Sequence, residues 1–444
     1  MARLTRVLSA ALVGFLMVAI GPEVAAALPE SPAAIDSTAV DSAKKSSRQI
    51  FGLTGTGAAR GQTVAGARWV SRRRQFSFRD VDYGFTGLPV IYYAPKTGWN
   101  YGGRVQFSDF RRRPYRYKVT VHWIKSSAGK RSTHIRLKVP YISGTGFGLR
   151  LLVSDTKDIS ARYYGLSNDS ERETAFTTEN SAHFIDEHYY NYVLEAPRVI
   201  LSLLRNLYGP LSMSVGFGLE RTEVAKRGQV AFYAMGTPDG VVDGVTGFVS
   251  ATLQWDTRDD PVIPRQGTFH EWSYETSRNS VLGLLFEEID FQRTTITDSR
   301  YVRLDDRLEL AHRTIFEALK GSVPLYAYGE LGGSRRIKAL GGSDTLRGFD
   351  RQRFTDNIRF LTNTELRYHL GFRHAFRQNF EFLIAGFLDS GQVAPGMGDL
   401  GVQETHLTAG LGLRCYWNED FVLRFDLGVS PEQVYPTHKY RNVF

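Results

Sequence analysis

The chain contains one cysteine, Cys415, among 444 residues. A single thiol cannot form an internal disulfide, so the fold must depend on its secondary structure for stability. The chain also has no internal run of eighteen or more apolar residues, which excludes membrane-spanning helices. The mean hydropathy of -0.26 still allows a transmembrane β-barrel, because only alternate residues of such strands face lipid. The composition therefore leaves two classes, a large soluble β protein or a membrane β-barrel.

Catalytic and metal-binding motifs are missing as well. We find no nucleophile elbow and no convincing Ser/His/Asp set, and no Gly-Lys-Ser/Thr follows Gly341 and Gly342 as a phosphate-binding loop would require. His183 and His188 lie five residues apart, which does not match the zinc-protease spacing, so a solvated loop is the favoured interpretation. We therefore predict no enzymatic activity, no metal and no cofactor.

The first part of the chain carries the features of a secretory signal peptide over residues 1–27. Arg3 and Arg6 precede an apolar stretch from Val7 to Ile20, and Ala25-Ala26-Ala27 form a small-residue cleavage site. Export makes nucleic acid an improbable partner for the net charge of +9. Lipid head groups or a polar lumen are the favoured destinations of the arginines.

Residues 28–79 are dominated by Ser, Ala, Gly and Thr and predict a flexible periplasmic linker. Apolar periodicity is absent there until Trp69. The exported chain is rich in tyrosine, phenylalanine and glycine, with 22, 28 and 43 of them. That composition points to the envelope of a Gram-negative bacterium, and to the cell outer membrane if the rest of the chain is a barrel.

From residue 80 to residue 444 the sequence alternates between apolar and polar residues. Between Tyr115 and Trp123 the odd positions are apolar or aromatic and the even positions are polar or cationic. A period of two predicts β-strands, and cations on the second face indicate that this face is wet. Sixteen such segments lie near 88–94, 99–110, 115–125, 131–141, 147–156, 191–203, 210–221, 245–257, 267–278, 287–301, 307–317, 357–370, 380–393, 406–417, 421–430 and 437–444.

The lengths of the predicted connections alternate too. Connections after even-numbered strands are short, whereas the long ones, about 157–190, 222–244, 318–356 and 394–405, all follow odd-numbered strands. In an up-and-down barrel the two sets emerge at opposite ends, with short periplasmic turns and long extracellular loops. We therefore predict an all-β, antiparallel transmembrane barrel of about 16 strands, in preference to a soluble sandwich or propeller.

One connection, Leu331 to Phe354, is unusually long, basic and glycine-rich. Its tetrad Leu346-Arg347-Gly348-Phe349 follows a Leu-Gly-Gly and resembles the loop-six signature of the BamA/TamA superfamily, the bacterial surface antigen family. Phe387, Asp389 and Gly391 resemble the Phe-x-Asp-x-Gly strand motif of that family, and Asn363, Glu365 and Arg367 resemble its polar strand face. The terminal Phe444 is similar to the targeting signal of outer-membrane proteins. The resemblance covers residues 80–444.

Strand parity alone places Phe387, Asp389 and Gly391 on one face, and it places Glu365 with Arg367 in the lumen. The resemblance implies more: the loop folds into the lumen and Arg347 contacts Asp389. A bidentate pair of this kind would hold the loop in one register. The alternative is an exposed loop with a charge-rich tip.

The resemblance implies a protein that inserts or passes polypeptides, or lipids in some branches, at the outer membrane through a weak seam between the first and last strands. Family members usually carry periplasmic POTRA repeats, and residues 28–79 are too short and polar for them. We therefore expect a separate periplasmic partner or client, and the alternative is that the assembly role has been lost. Outer-membrane lipids and lipopolysaccharide are the other expected partners.

Two further functions remain open from the sequence. A passive, anion-favouring pore or structural surface protein would be lined by Arg116, Lys118, Arg136, Lys138, Arg359 and Arg424. An outer-membrane hydrolase is disfavoured because a catalytic set is missing.

Overall fold

The computed structural model describes residues 74–78, 81–94, 97–111, 115–142, 145–170, 173–235, 243–261, 263–277, 290–375, 378–417, 421–430 and 441–443. The predicted signal peptide (1–27), most of the predicted linker (28–79), Phe444 and most of the last predicted strand lie outside these residues. The boundaries proposed there remain predictions.

The described strands form one large antiparallel sheet and one small hairpin. The large sheet contains β1 Arg74–Phe78, β2 Val81–Ala94, β3 Gly98–Asp109, β4 Tyr117–Ser126, β5 Arg131–Val139, β6 Phe147–Arg162, β7 Asn191–Glu195, β8 Arg198–Tyr208, β9 Leu211–Lys226, β10 Gly244–Asp256, β11 Gly267–Thr276, β12 Phe291–Arg303, β13 Leu308–Gly321, β16 Ile358–Ala375, β17 Gln378–Ala394, β18 His406–Trp417, β19 Phe421–Val429 and β20 Arg441–Val443. The hairpin pairs β14 Glu330–Leu331 with β15 Ile337–Lys338.

The large sheet has seventeen strand positions, because β7 and β8 follow one another in the space between β6 and β9. Helical structure is limited to α1 Leu325–Tyr328 and to short 3-10 turns at Thr174–Thr177, Phe232–Met235, Met397–Asp399 and Val402–Glu404. Within the described ranges, no helix has the length and apolar character needed to cross a bilayer.

The two faces of the sheet have opposite character, and the apolar one points outward. Leu411 on β18 and Leu388 on β17 are 72% and 52% exposed, whereas luminal Asp389, the residue after Leu388, is fully buried. The same alternation along β16 exposes Leu366 and buries Glu365. An outward apolar surface around a polar interior is the arrangement that lipid requires of a barrel, and it confirms the predicted fold class.

Each of the sixteen predicted segments coincides with a described strand position, from β2 to β20. The structure adds one strand, because β1 pairs with the start of β2. This corrects the predicted strands in two places. The strand β2 begins at Val81 and not near residue 88, and β1 lies inside the range that was assigned to the linker. Five residues are too short a window for alternation to be recognised.

The alternation of connection lengths is present in the structure. β3 and β4, β5 and β6, β8 and β9, and β12 and β13 are joined at one end, here called the short-turn end, by the short stretches 110–116, 140–146, 209–210 and 304–307. β6 and β7, β9 and β10, β11 and β12, and β17 and β18 are joined at the other, long-loop end, by the stretches 163–190, 227–243, 277–290 and 395–405. The connection between β13 and β16, residues 322–357, also starts at the long-loop end, and we call it the luminal loop.

Candidate functional site: the luminal loop and its wall

The luminal loop is buried, although it starts and ends outside the span of the barrel strands. All four residues of α1 are buried, and Leu340 forms an isolated bridge with Phe354 that closes the second half of the loop. Leu346 and Phe349 are 0% and 1% exposed. The interpretation as an exposed, charge-rich loop is therefore wrong.

The structure brings Arg347 and Asp389 together. The Arg347 guanidinium donates two hydrogen bonds to the Asp389 carboxylate, from Nε to Oδ2 at 2.7 Å and from Nη2 to Oδ1 at 2.6 Å. The Arg347 backbone N–H donates a third one to Oδ2 at 3.1 Å. Both oxygens of a fully buried carboxylate on β17 are thus used by one loop residue. Such a bidentate pair fixes orientation as well as distance.

The other contacts of Arg347 come from neighbouring strands. Its Nη1 donates to Glu365 on β16 and lies 3.7 Å from the Asp426 carboxylate on β19. The guanidinium carbon is 3.6 Å from the centroid of the Phe387 ring, which gives a cation–π contact on its flat side. One arginine therefore connects the loop to three strands of the wall.

These groups belong to a larger charge network, which we call the β16–β19 network. Glu365 also accepts hydrogen bonds from Arg367 at 2.8 Å and from Arg414 at 3.0 Å. Asp426 pairs with Arg414 at 2.5 Å and with Arg424 at 2.6 Å. The network thus contains four arginines and four carboxylates. The arginines are Arg347, Arg367, Arg414 and Arg424, and the carboxylates are Asp389, Glu365, Asp426 and Glu309, which pairs with Arg367 at 3.3 Å. Desolvation of these buried charges is offset by their mutual attraction only because each one has close partners of opposite sign.

The network continues toward the short-turn end through His369. Its ring nitrogens lie 3.1 Å from Glu309 and 2.6 Å from Glu381, and Glu381 also pairs with Arg265. Arg265 lies in the β10–β11 connection, two positions before Gly267. The charges therefore bind that turn to the inner wall as well.

Apolar side chains of the tetrad seal this network from the long-loop end. Leu346 and Phe349 pack in a buried cluster with Leu340, Phe354 and Leu361, among others. The Phe354 ring stacks on His406 with 3.7 Å between centroids, and Phe349 meets Phe354 edge-on at 5.1 Å.

Glycines allow the loop to approach the wall. Gly348 has a φ of 106°, which L side chains rarely adopt. On the wall, a Cβ at Gly428 would lie 2.9 Å from the carbonyl carbon of Arg347. A Cβ at Gly391 would lie 3.0 Å from Leu340 Cδ2. Gly391 therefore belongs to the docking surface, as its motif suggested. Its contribution is the space that a missing side chain leaves for Leu340.

Sequence reasoning missed a second docking site. The first Leu-Gly-Gly-Ser, Leu331 to Ser334, binds the adjoining part of the wall, on β13 and β11: the Gly332 N–H donates to Glu317, and the Ser334 N–H donates to Glu271 at 2.8 Å. Arg336 pairs with Glu275 at 2.5 Å. The duplication of the motif was visible in the sequence, and it was the signal that could have predicted this contact.

This second set, which we call the β9–β13 network, is also nearly balanced. Its cations pair with four carboxylates, and a fifth carboxylate, Glu271, binds the loop through Ser334. The cations are Arg198, Arg293, Arg336, Lys338 and Arg359, and the four paired carboxylates are Glu220, Glu275, Glu317 and Glu330.

A third group of contacts joins the luminal loop to the end of β6 and to the 163–190 connection. Asp350 pairs with Arg162 at 2.5 Å, and the Thr355 hydroxyl donates to the Gly165 carbonyl at 3.0 Å. Asn168 links a further connection: its Nδ2 donates to the Glu404 carbonyl at 2.5 Å and its Oδ1 accepts from the Val393 N–H at 2.9 Å.

The metal interpretation of the 183–188 stretch has no structural support. In the part of the chain that the structure describes, no three His, Cys, Asp or Glu side chains are placed to hold a metal ion. Asp186 instead accepts backbone N–H groups, from His188 at 2.7 Å and from Gln229 at 2.7 Å. It joins two long loops.

The lining predicted for an anion-favouring pore is present only in part. Arg359 is paired with Glu317 at 3.1 Å and Arg424 with Asp426 at 2.6 Å, so neither offers an unmatched charge. Lys118, Arg136 and Lys138 do occupy the luminal face, on β4 and β5.

The family model of the Omp85 superfamily domain matches residues 93–442, which is most of the chain. The chain belongs to the Omp85 superfamily. This superfamily is one of outer-membrane β-barrels for translocation and insertion, which agrees with the barrel and with its location in the outer membrane of a Gram-negative bacterium.

Solved structures show the same fold at low identity. BamA from Haemophilus ducreyi lacking POTRA domains 1-3 is 13% identical with a TM-score of 0.53, and the match covers 94% of this chain and 79% of that one. CdiB from Escherichia coli is 13% identical with a TM-score of 0.50, covering 83% of this chain and 62% of that one. The chain thus spans less than two thirds of CdiB. No curated protein matches this Omp85 member.

Proposed function

We propose that this Omp85 member inserts or translocates polypeptides at the outer membrane and that it does so without enzymatic chemistry. The observation that carries the proposal is the Arg347 contact set, in which a loop residue joins Glu365, Asp389 and Asp426 on three strands. A pore that only conducts needs no such device.

The geometry suggests how the loop serves this task. The tetrad docks on β16 to β19, the strands that precede β20. By fixing these strands to one another, the loop keeps the wall in register while the end of the sheet is free to separate. Pro436, which the described residues do not include, would remove one ladder donor from the closing strand. The loop is then a brace for the wall and not a plug that leaves.

We further propose that a separate periplasmic protein or client approaches the short-turn end and that lipids and lipopolysaccharide surround the apolar belt. Exposed aromatic side chains support the second part. Trp99, Trp123, Trp255 and Trp272 are 42% to 59% exposed on the outer face, as expected of residues at membrane interfaces.

The proposal is tested in the native host. Deleting the gene is expected to lower a defined set of polypeptides in the outer-membrane or secreted fraction by at least tenfold, measured by quantitative mass spectrometry. The wild-type gene should restore them. An unchanged set of exported proteins would overturn the proposal, and a steady, large, anion-selective conductance of the purified barrel in planar bilayers would then favour the passive pore.

A designed disulfide distinguishes a brace from a plug. Ser167 and Thr355 form an isolated antiparallel bridge between the 163–190 connection and the luminal loop. Bridged residues have Cα atoms about 4.5–5.5 Å apart, within the range of disulfides. We expect Ser167→Cys with Thr355→Cys, made with Cys415→Ser to remove the native thiol, to oxidise and to restore export as well as wild type.

The reduced form of the double variant is the control for this experiment. A locked protein that fails in export and recovers when dithiothreitol reduces the bridge would show that the loop moves during transport, against the brace.

A further inference from the structure

One part of the lumen differs from the rest in its charge. On β3 to β6 the luminal positions are the even-numbered ones, between 100–108, 118–126, 132–138 and 148–156. Within these ranges they include no Asp or Glu, but they include five cations, which are Arg104, Lys118, Arg136, Lys138 and Arg150. The next even position of β6, Asp158, is paired with Arg351 of the luminal loop at 2.8 Å. Elsewhere in the described lumen Arg347, Arg424, Arg336 and Arg359 each pair with a carboxylate.

Three of these cations lie side by side. Lys118 pairs across the sheet with Lys138, and Lys138 pairs with Arg150 on the next strand. Residues directly opposite have Cβ atoms about 4.5–5.5 Å apart, and like charges at that distance destabilise a sheet. The row therefore lowers the stability of the barrel unless an anion is bound, and so it points to an anion.

The neighbours of the row are hydrogen-bond donors as well. Ser108 lies opposite Lys118 on β3, and Ser202 lies opposite Arg150 on β8. Thr120 and Arg136 lie opposite one another in the adjacent luminal row. The row is at the short-turn end, since Lys118 is the second residue of β4 and Lys138 the last but one of β5. Arg136 and Lys138 are exposed to solvent there.

We propose that this row binds a phosphate group. A compact anion with two charges and several acceptor oxygens matches three converging cations, whereas one carboxylate would neutralise only one of them. The Arg150 guanidinium also suits bidentate contact with phosphate oxygens. The phosphate source is either a free phosphate compound or the head group of a lipid. This site is independent of the export function proposed above.

The experiment uses the purified full-length barrel in phosphatidylcholine vesicles, with inorganic pyrophosphate and glycerol 1-phosphate as soluble probes. The test variant carries Lys118→Gln, Lys138→Gln and Arg150→Gln together. The control is Lys125→Gln, which removes a cation of β4 that faces outward. We expect wild type and control to bind the probes in isothermal titration calorimetry, and the triple variant to bind at least tenfold more weakly.

Thermal stability gives a second readout that failure to fold cannot imitate. Because the substitutions remove like-charge repulsion, the triple variant should unfold at the same temperature as wild type or higher without phosphate. Phosphate should raise the unfolding temperature of wild type and not that of the triple variant, since a ligand stabilises only the form that binds it.

The two phosphate sources are separated by native mass spectrometry of barrels taken from phosphatidylglycerol and phosphatidylcholine vesicles. Retention of phosphatidylglycerol that requires the three cations assigns the lipid, and binding of the soluble probes without lipid retention assigns a free phosphate compound. Equal probe binding by wild type and triple variant would overturn the site. Tighter binding of poly-glutamate than of pyrophosphate would overturn the choice of phosphate.

Discussion

Replacing Arg347 with alanine is expected to cost the barrel about 3–5 kcal/mol of stability, because it leaves the partner carboxylates buried without their cation. Asp389 is fully buried and loses both arms of a bidentate contact, and Glu365 loses one of its three arginines. The measurement is the shift of the unfolding midpoint in guanidinium chloride, followed by the loss of heat-modifiable mobility on gels.

Two further variants serve as controls for this measurement. Arg300→Ala removes another arginine with an aspartate partner, Asp298 at 2.9 Å, but that guanidinium is on the surface and 63% exposed. It should leave the midpoint unchanged, since surface ion pairs contribute little. Arg347→Ala combined with Asp389→Ala should recover part of the loss, because the stranded charge is removed as well.

A variant Arg347→Ala as stable as wild type would contradict the brace. The loop would then be held by its apolar seal and by the β9–β13 network alone, and Arg347 would be available for another role. The double-mutant cycle separates these outcomes, because a brace requires a coupling energy between Arg347 and Asp389.

Much of the wall was predictable from the sequence because a period of two is a strong signal. Asp389 and Glu365 were placed in the lumen by parity alone, and the structure buries both side chains there. The short strand β1 was not predictable in this way, since five residues beside an arginine run give too little alternation.

The luminal loop was predictable only through resemblance, because its residues have no periodicity. Parity says that Asp389 is luminal but not what meets it, and the contact with Arg347 spans 42 residues of sequence. The second docking site shows the same limit. Glu271 and Glu275 share the inner face of β11, but no pattern in the strand indicates that Ser334 and Arg336 bind them.

The two docking sites explain why the loop carries two glycine-rich turns. Each turn brings backbone N–H groups to a wall carboxylate, Gly332 to Glu317 in the first and Arg347 to Asp389 in the second. The loop is therefore fixed to β13 by the first turn and to β17 by the second, and β16 alone separates these two strands in the sheet. If the contacts of one turn with the wall are lost, the contacts of the other turn should remain. A single substitution should therefore detach only the half of the loop that contains the affected turn.

The replacement Gly428→Ala tests that consequence at the tetrad Leu346 to Phe349, through a change in the wall and not in the loop. The new Cβ would meet the carbonyl carbon of Arg347 at 2.9 Å, its oxygen at 3.0 Å and the Gly348 nitrogen at 3.0 Å. All three are backbone atoms, so no side chain can turn away and the tetrad must retreat from β19. We expect a loss of about 1–3 kcal/mol, typical of overpacking.

Trypsin reports the retreat directly, because the second half of the loop carries Arg347, Arg351 and Arg353. Wild-type barrels in vesicles should resist cleavage at these sites, and Gly428→Ala should be cut there at least tenfold faster while the first half stays protected. Gly386→Ala is the matched control: this glycine is on the outer face of β17, and a Cβ there meets nothing within 4 Å. It should match wild type in both midpoint and cleavage. Equal protection of Gly428→Ala and Gly386→Ala would mean that the tetrad does not depend on its close approach to the wall, and the brace would then have to rest on Leu331 to Ser334 and the β9–β13 network.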